Sequence, residues 1–369
     1  MKKKKILLTK TSLVEYDARL EREIDWIKDK DYEIILLCWD RERLNNSQPK
    51  NPLYKEIRFM LKAPFGIKIL PYIPIWWSFE LYSILKLKVD LIHSIDFDSI
   101  VPALIAAKIK RIPIIYEIYD IYEDEIKLPR PIRIACVFID KIFMFLSDAI
   151  IIVDETRIQE LNGIPNDKIV TIYNSPDDSC SIAKSDTHQT KEIVIFFAGL
   201  LNRNRCLVEF INAVKEIPNV KLVIAGFGEF AERIRLNSEE NKIDFIGKIN
   251  YKRVLELSCS ADILFSFYNP VIPLNKYASS NKLFEAMMCG KPIIVNDGTS
   301  MAEIVNREDC GIVIPYGDVK AIKKAILLLR DNSELRRKLG ANGRKAYEEK
   351  YNSILLRKKL AEIYESLLN

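Results

Sequence analysis

The sequence has 369 residues, of which 49% are hydrophobic and 29% are charged, a composition typical of globular proteins rather than of disordered chains. Its 56 Lys and Arg residues exceed its 51 Asp and Glu residues, which gives a formal net charge of +5. This excess is too small for a nucleic-acid-binding protein and suits small anionic ligands or an anionic membrane surface. The length favours two domains over one.

The cysteines and the apolar runs indicate the class of protein. The seven cysteines are scattered, and none has the spacing of a metal site or of a disulfide framework, so we expect mostly reduced thiols, no metal and a cytoplasmic protein. The apolar run Ile6–Leu8 is too short for the core of a signal peptide and predicts a buried strand. The run 134–153 is interrupted by Asp140, Lys141 and Asp148, so it does not predict a transmembrane helix.

Strand patterns alternate with helix patterns along both halves of the chain. In the first half we predict strands at 5–9, 33–38, 90–93, 112–116, 149–153 and 168–173, with helices near 18–27, 100–109 and 132–146. In the second half we predict strands at 193–198, 221–225, 244–246, 263–267 and 292–295, and helices at 207–217, between the last two strands, and at 353–368. Apolar, β-branched strands that alternate with helices are typical of parallel sheets covered on both faces.

This alternation predicts an α/β protein with two Rossmann-like, doubly wound domains that face each other across a cleft. The first domain spans 1–175, and the aperiodic polar segment 176–191 is the linker. The second domain spans 192–352. The last helix, 353–369, is expected to pack back on the first domain.

The segment Ser279–Pro292 combines helix signals with polar side chains. Ser280 is a predicted N-cap, and Gly290 is placed to end the helix. Ser280, Asn281 and Lys282 would lie at the helix start, where free N–H groups attract phosphate. Glu285, one turn later, would accept hydrogen bonds from ribose hydroxyls. The alternative is an ordinary surface ion pair between Lys282 and Glu285.

Two further segments follow predicted strands of the second half. Arg203 and Arg205 stand before a helix, where guanidinium groups bind phosphate oxygens in pairs; the alternative is a loop with solvated charges. Gly226, Phe227 and Gly228 follow the next strand, where the backbone comes close to a ligand or simply makes a tight turn.

Polar residues also follow two predicted strands of the first half. His93 lies in the segment Asp90–Asp96, and Asp120 and Glu123 lie in the segment 116–123. Open α/β sheets bind ligands at the carboxyl ends of their strands, so these three residues are candidates for catalysis. The alternatives are a half-buried imidazole with its hydrogen bonds satisfied and two carboxylates that cap a loop.

Taken together, these segments resemble family 4 glycosyltransferases of the GT-B fold, in the same order and along nearly the whole chain. The strongest match is Lys282-Leu283-Phe284-Glu285-Ala286-Met287 through Gly290-Lys291-Pro292, followed by Cys310-Gly311-Ile312 and Gly340…Gly343-Arg344. Weaker matches are Asp17–Glu23, 90–96, 114–120 and 151–174.

The resemblance implies that the second domain binds a nucleotide-sugar, UDP- or GDP-linked, as co-substrate without a further cofactor. Glu285 matches the glutamate that binds the ribose, and Arg205 matches the basic residue on the donor phosphates, with Lys282 beside it. Gly226, Phe227 and Gly228 fall where the backbone passes the nucleotide. The family transfers a sugar with retention of configuration, usually without a metal, because helix N-termini, Arg and Lys stabilise the leaving diphosphate.

The sequence departs from the family pattern at two positions. Tyr277 stands where many members have an acidic residue, with seven residues between it and the one matched by Glu285. Tyr119 stands where many members have His. Asp120 and Glu123 are therefore our candidates for ordering the acceptor, with His93 as a second polar group. The acceptor is expected to be a glycan or a lipid-linked sugar, and no nucleic acid is expected.

The region 59–88 contains many apolar residues, among them Trp76 and Trp77, with lysines on either side. Two adjacent Trp flanked by Lys suit a lipid interface, which predicts peripheral contact with the inner face of the cell membrane. The alternative is a hydrophobic lid packed over the first domain.

Two other functions compete with sugar transfer. A non-catalytic subunit would keep the fold and bind a nucleotide-sugar or a partner, and Tyr119 and Tyr277 favour it. A sugar-nucleotide epimerase shares this two-domain plan but needs more acid–base groups than His93 and His188 supply.

Overall fold

The computed structural model describes residues 3–14, 17–28, 32–42, 53–64, 66–119, 130–161, 163–179, 192–238 and 242–369. The chain divides into two compact units, which we call unit 1 (1–173 and 356–369) and unit 2 (174–355). The domain limits drawn from the sequence, 175 and 353, lie within three residues of these divisions. Residues 180–191 of the predicted linker are outside the described residues.

Unit 1 contains a parallel sheet of seven strands in the order β3-β2-β1-β4-β5-β6-β7. The strands are β1 (Lys4–Lys10), β2 (Tyr32–Trp39), β3 (Tyr54–Phe59), β4 (Leu91–Ile95), β5 (Ile114–Ile118), β6 (Ala149–Ile152) and β7 (Ile169–Thr171). Its helices are α1 (Ala18–Ile27), α2 (Ile73–Lys86), α3 (Phe97–Lys110) and α4 (Arg130–Leu146), and three short 3₁₀ segments cover Gly66–Tyr72, Glu155–Leu161 and Asn166–Lys168.

Unit 2 contains a parallel sheet of six strands in the order β10-β9-β8-β11-β12-β13. The strands are β8 (Ile193–Leu200), β9 (Val220–Phe227), β10 (Ile243–Gly247), β11 (Ile263–Ser266), β12 (Ile293–Asn296) and β13 (Gly311–Ile314). The helices are α5 (Leu207–Lys215), α6 (Ala231–Asn237), α7 (Tyr251–Ser260), α8 (Pro273–Lys276), α9 (Asn281–Cys289), α10 (Ser300–Glu308), α11 (Val319–Asp331) and α12 (Ser333–Ala346). After Tyr347–Tyr351, helix α13 (Ser353–Leu368) returns the chain to unit 1.

The strands form because their apolar side chains are covered on both faces. Ile6, Leu7 and Leu8 of β1 and Ile293, Ile294 and Val295 of β12 are completely buried, as expected for continuous apolar strands in parallel sheets. The predicted fold of two Rossmann-like domains is confirmed. In each sheet the strand order reverses once, between β1 and β4 and between β8 and β11, and such reversals open a crevice at the carboxyl ends of the strands.

Several helices of unit 2, among them α10 and α11, were not predicted from the sequence, and three strands differ from the prediction. The edge strand β3 was not predicted, because its sequence Tyr-Lys-Glu-Ile-Arg-Phe mixes charges with apolar residues and is only half buried. Strand β5 begins at Ile114 rather than Ile112, since Pro113 has no N–H group to donate to a neighbouring strand. Strand β13 was also not predicted, because Gly311–Ile314 is too short for a clear pattern.

The tryptophans of region 59–88 face the protein rather than a lipid interface. Trp76 is completely buried, and its ring stacks on Trp39 with 5.8 Å between centroids. The Nε1 of Trp77 donates to the carbonyl of Asp98 over 2.9 Å. For Trp76 the lipid-anchor interpretation is therefore wrong, because its ring packs in the core of unit 1.

The cysteines and helices bear on the expected class of protein. Three cysteines, Cys206, Cys289 and Cys310, are free thiols, as expected for those three. The longest helix of the described chain, α4, carries Asp140 and Lys141 in its apolar sequence. No described helix combines the length and apolar character that crossing a membrane requires.

Candidate functional site

Unit 2 has a cavity of about 220 Å³ at the carboxyl ends of β8 and β9. The start of helix α9 supplies its polar side, and the segment that leads into α7 supplies much of its apolar side. Its lining residues are Ala198, Gly199, Ala225, Gly226, Phe227, Lys248, Ile249, Tyr251, Val254, Asn281, Lys282 and Glu285. Five residues singled out from the sequence, Gly226, Phe227, Asn281, Lys282 and Glu285, therefore line one cavity.

The floor of this cavity is open because the strand ends carry almost no side chains. In the register of β8 and β9, Ala198 pairs with Ala225 and Gly199 pairs with Gly226. A Cβ atom on Gly226 would lie 1.9 Å from the carbonyl oxygen of Gly199, and Gly226 has a φ of +142°. Only glycine fits this position, so the backbone itself is exposed to a ligand.

Helix α9 begins and ends where the sequence predicted. Ser280 is its N-cap residue, and Gly290 ends it in a left-handed conformation, with its N–H donating to the carbonyls of Ala286 and Met287. The Ser280 side chain does not cap the helix; its Oγ lies 3.0 Å from Oγ of buried Ser266. The Ser280 hydroxyl therefore does not occupy the first-turn N–H groups, and Asn281 and Lys282 of the cavity wall lie at the positive end of the helix dipole.

Lys282 and Glu285 lie one turn apart on the wall of the cavity. The Nζ of Lys282 lies 4.9 Å from the centre of the Phe197 ring and reaches across Gly199, where an added Cβ would lie 2.9 Å from it. Glu285 is only 3% exposed. The alternative of a solvated surface ion pair is therefore wrong for Glu285, because this side chain is buried at the cavity wall.

The two arginines before α5 have different environments. The guanidinium of Arg205 stacks on the ring of Tyr268 at 3.5 Å, and its buried Nη1 has no hydrogen-bond partner. Arg203 is 74% exposed and its Nε lies 3.4 Å from Oε1 of Glu229; it lines a separate cavity with Arg233. Only Arg205 thus offers a buried, unsatisfied donor to an anion.

Two other predicted donor residues have structural roles that the sequence did not reveal. Gly228 does not line the cavity; an added Cβ there would lie 2.5 Å from the carbonyl oxygen of Leu201, so this glycine allows two loops to approach. Ser280 is 1% exposed and contributes its backbone to the helix start, with its hydroxyl turned to Ser266.

In unit 1, His93 belongs to a buried polar network rather than to an open site. Its Nδ1 lies 2.7 Å from the Tyr364 hydroxyl of α13, and its Nε2 lies 3.0 Å from Oε2 of Glu117. Both His93 and Glu117 are completely buried. The sequence interpretation of His93 as a catalytic group is therefore not supported, and the alternative of a buried imidazole with partners describes it.

Arg19 completes this network from helix α1. Its Nε and Nη2 donate to Oε1 of Glu117 over 3.0 and 2.5 Å, and its Nη1 donates to the carbonyl of Ile172. Glu23 is also buried, and its Oε1 lies 2.9 Å from the Nε of Arg19. The N–H group at that Nε donates to Glu117 rather than to Glu23. Burial opposes ionisation of Glu117, yet Arg19 and His93 outweigh it and hold its pKa at about 2.

Burial and the charge of Glu117 raise the pKa of Glu23 well above its usual value. Among the described residues, one group of possible metal ligands lies within 4.8 Å, namely Glu23, His93 and Glu117. The Arg19 guanidinium already bonds to one of these carboxylates and touches the other. A metal ion would have to displace this cation, so the donor set fits an ion-pair network better than a metal centre.

A second polar cluster in unit 1 is centred on Lys10, which was not singled out from the sequence. The ammonium of Lys10, at the end of β1, lies 3.5 Å from the centre of the Tyr119 ring, contacts Asp17, and lies 3.8 Å from Asp96. Asp96 also accepts from the backbone N–H of Tyr119 over 2.9 Å. These residues follow β1, β4 and β5, and the rule that sites lie at strand ends would have found them. Asp120 and Glu123 lie outside the described residues.

Two protein families match the chain, one for each half. Residues 24–179 match the family described as Glycosyltransferase Family 4. Residues 180–346 match the family described as Glycosyl transferases group 1. The second matched segment contains every residue that lines the cavity described above.

Curated relatives are similar over about three-fifths of the chain. The capsular polysaccharide biosynthesis glycosyltransferase CapM of Staphylococcus aureus is 26% identical over 62% of this chain and 64% of its own length. The N-acetyl-alpha-D-glucosaminyl L-malate synthase of Bacillus anthracis is 27% identical over 60% of this chain and 59% of its own length. The chain thus covers less than two-thirds of either relative.

Solved structures match the fold along nearly the whole chain. Sucrose-phosphate synthase from Thermosynechococcus elongatus has a TM-score of 0.77 with 14% identity and 99% of both chains covered. Anabaena Alr3699/HepE, solved in complex with UDP-glucose, has a TM-score of 0.71 with 17% identity, and 98% of this chain and 100% of that chain are covered. At such identities the likeness establishes the fold.

Proposed function

Because this chain belongs to the family 4 glycosyltransferases of the GT-B fold, we propose that it transfers a sugar from a nucleotide-sugar bound in unit 2 to a glycan or lipid-linked acceptor. The observation that carries this proposal is the cavity at the start of α9, where Lys282 and Glu285 lie beside the bare backbone of Gly199 and Gly226. A cation, a buried acid and exposed backbone are the groups that a nucleoside diphosphate needs.

The cavity has the two surfaces that a nucleoside requires. Phe227, Ile249 and Val254 supply an apolar wall for a base, and Glu285 supplies an acceptor for ribose hydroxyls. Its volume of about 220 Å³ is below the roughly 300–1,000 Å³ of sites that enclose whole ligands. We therefore assign it to the nucleoside, with the phosphates and the sugar lying beyond it.

Lys282, Arg205 and the first turn of α9 are the groups that we assign to the diphosphate. When the bond between the anomeric carbon and the phosphate oxygen breaks, the diphosphate gains negative charge. Cations and N–H groups fixed in advance stabilise that charge without reorganisation. The buried Nη1 of Arg205, which lacks a partner, supports its assignment, whereas the solvated Arg203 is left out of the proposed site.

We assign the acceptor side to the carboxyl edge of the sheet in unit 1. Lys10, Asp96 and Tyr119 meet there, and Asp120 and Glu123 follow directly in the sequence. Transfer with retention of configuration and an acceptor that is a glycan or a lipid-linked sugar remain proposals. They derive from the family and from CapM, whose name describes the biosynthesis of a polysaccharide.

The experiment is a thermal-shift screen of the purified chain with UDP-, GDP- and ADP-sugars. A ligand that binds the native state raises the free energy of unfolding, by about 2.7 kcal/mol at 100 times its Kd, and thereby raises the melting temperature. UDP-glucose is the first to test because HepE was solved with it. Release of free nucleoside diphosphate, with and without an added glycan, then reports transfer. No shift with any nucleotide-sugar would overturn the proposal.

A non-catalytic nucleotide-sugar-binding subunit is the alternative that this screen separates. It would give the thermal shift without release of nucleoside diphosphate for any acceptor. Tyr119 favours it, because this phenol carries the Lys10 ammonium on its ring face and has no carboxylate or imidazole chemistry. The buried Nη1 of Arg205, which lacks a hydrogen-bond partner, favours transfer instead, because a cation held beside the donor phosphates would chiefly stabilise the leaving group.

A further inference from the structure

Helices α2, α3 and α4 form one layer of unit 1. Each helix connects two parallel strands, α2 from β3 to β4, α3 from β4 to β5 and α4 from β5 to β6. All three connections advance towards the β7 edge of the sheet. Right-handed crossovers place such helices on the same face of the sheet. Their inner sides pack on the core through Trp76, Ala103 and Met144, so their outer sides form a common surface.

This outer helix face is strongly apolar. The exposed apolar side chains are Ile75, Tyr82 and Leu85 on α2, Ile105 and Ile109 on α3, and Ile134, Phe138, Ile139, Ile142, Phe145 and Leu146 on α4. Phe138 is 65% exposed and Ile109 is 62% exposed. Single exposed apolar residues are ordinary, but a contiguous patch of this kind marks a site of interaction.

The charges of these three helices are sorted by sign. Their acidic residues are Glu80, Asp98 and Asp140, and none of them is exposed: Glu80 bonds to Thr9, Asp98 to Thr11 and Asp140 to Tyr116. Their lysines are Lys86, Lys108, Lys110 and Lys141, of which Lys86 and Lys108 are exposed. The outer helix face therefore combines apolar side chains with cations and presents no exposed carboxylate.

A cationic cavity adjoins the C-terminal ends of α2 and α3. It measures about 550 Å³ and is lined by Lys3, Lys4, Lys5, Lys88, Val89, Asp90, Lys110 and Ile112. Lys110 also donates to the carbonyls of Leu85 and Leu87 at the end of α2, which joins this cavity to the outer helix face. A cluster of lysines next to an apolar surface is the pattern that binds anionic lipid headgroups.

We propose that the outer helix face docks unit 1 on a bilayer that contains anionic lipids. Phe138, Ile109 and their neighbours enter the headgroup boundary, and the lysines contact lipid phosphates. A second copy of the chain is disfavoured as the occupant, because a symmetric contact would bring the same lysines together. Of the region 59–88, only α2 and the lysines that follow it belong to this surface, and Trp76 does not.

The test is sedimentation of the full chain with vesicles of phosphatidylcholine, with and without phosphatidylglycerol. We expect binding to the anionic vesicles, weakened by salt. The variant Phe138→Ser/Ile109→Ser is expected to bind at least tenfold more weakly, and Lys108→Glu about fivefold or more. Val271→Ser and Lys252→Glu, exposed positions of unit 2, are the matched controls and are expected to bind like the unaltered chain.

Three results would overturn the proposal. They are the absence of binding to anionic vesicles, unchanged binding of the Phe138→Ser/Ile109→Ser variant, and a lipid-free dimer that Phe138→Ser dissociates in analytical ultracentrifugation. Melting curves of each variant separate lost docking from lost folding. The inference does not rest on the proposed donor site. If the chain binds vesicles but no nucleotide-sugar, that result would contradict only the proposal for unit 2.

Discussion

The Nε2 atom of His93 lies 3.0 Å from Oε2 of Glu117, and neither side chain reaches solvent. Glu117 is thereby the common acceptor for a strand residue, His93, and for Arg19 of the first helix. Through Tyr364 the imidazole also contacts α13, and through Ile172 the guanidinium contacts the end of the sheet. The network thus connects parts of unit 1 that are more than a hundred residues apart in sequence.

The first prediction compares two buried glutamates of this network. Glu117→Gln removes the charge that Arg19 requires and is expected to destabilise the protein by about 3–5 kcal/mol, because a buried cation loses its partner. Glu23→Gln resembles a protonated glutamic acid, which the raised pKa of Glu23 favours, and is expected to cost less than about 1 kcal/mol. Urea denaturation followed by circular dichroism measures both. Equal losses would contradict this division of roles.

The second prediction concerns the pH dependence of stability. The pKa of Glu117 is lowered to about 2 in the folded state, so its contribution is fully present above the unfolded pKa near 4.5 and is lost as pH falls towards 2. The pKa of Glu23 is raised, so its contribution has the opposite sign and declines as pH rises above 4.5.

Urea denaturation between pH 2 and pH 8 tests this assignment. Glu117→Gln should flatten the acid limb of the stability curve, whereas Glu23→Gln should flatten the part above pH 4.5. Glu303→Gln, an exposed position in α10, is the control and should leave the shape unchanged. An unaltered acid limb in Glu117→Gln would show that other carboxylates dominate it.

The third prediction tests the ribose contact of Glu285. Glu285→Gln keeps the shape of this buried side chain but removes its charge, and a hydrogen bond to a charged group contributes about 1.5–3 kcal/mol. We expect the Kd for the nucleoside diphosphate that stabilises the protein to rise at least tenfold, measured by calorimetry. Glu303→Gln serves again as control. If Glu285→Gln changes neither the melting temperature without ligand nor the Kd, Glu285 does not contact the donor.

The fourth prediction concerns the strand ends beneath the cavity. In Gly226→Ala the methyl group would overlap the carbonyl oxygen of Gly199, 1.9 Å away, so β8 and β9 must separate. We expect a loss of at least about 2 kcal/mol together with weaker nucleotide binding. Gly317→Ala, which also has a positive φ but has no atom within 4 Å of the added Cβ, controls for backbone strain and should leave binding intact.

The donor cavity was predictable from sequence where its residues lie on a short helix whose two ends are marked by specific residues. Ser280, Gly290 and Pro292 mark the ends of α9. Helix geometry then places Lys282 and Glu285, three residues apart, on the same face. The part of the wall formed by Lys248, Ile249 and Val254 was not predicted, because these residues carry no motif and reach the cavity only through the pairing of β10 with β9.

The polar groups of unit 1 were harder to predict because their partners are distant in sequence. His93 carries no local sign of burial, and its partners Glu117 and Tyr364 are 24 and 271 residues away. The same holds for Lys10, which meets Tyr119 only once β1, β4 and β5 are side by side. Trp76 shows that local composition alone does not distinguish a lipid interface from a protein core, because aromatic residues flanked by lysines occur in both.

The last prediction separates two arginines that the sequence treats alike. Arg205 is stacked on Tyr268 with a buried, unsatisfied Nη1, whereas Arg203 is solvated beside Glu229. If the Arg205 guanidinium stabilises the departing diphosphate, Arg205→Lys should lower kcat/KM by about 10- to 100-fold, mainly through kcat, because lysine cannot reproduce the planar fork. Arg203→Lys should change kcat/KM by no more than about twofold. Steady-state kinetics with the donor found by the thermal screen measures both, and comparable losses in the two variants would mean that Arg205 acts only as a surface charge.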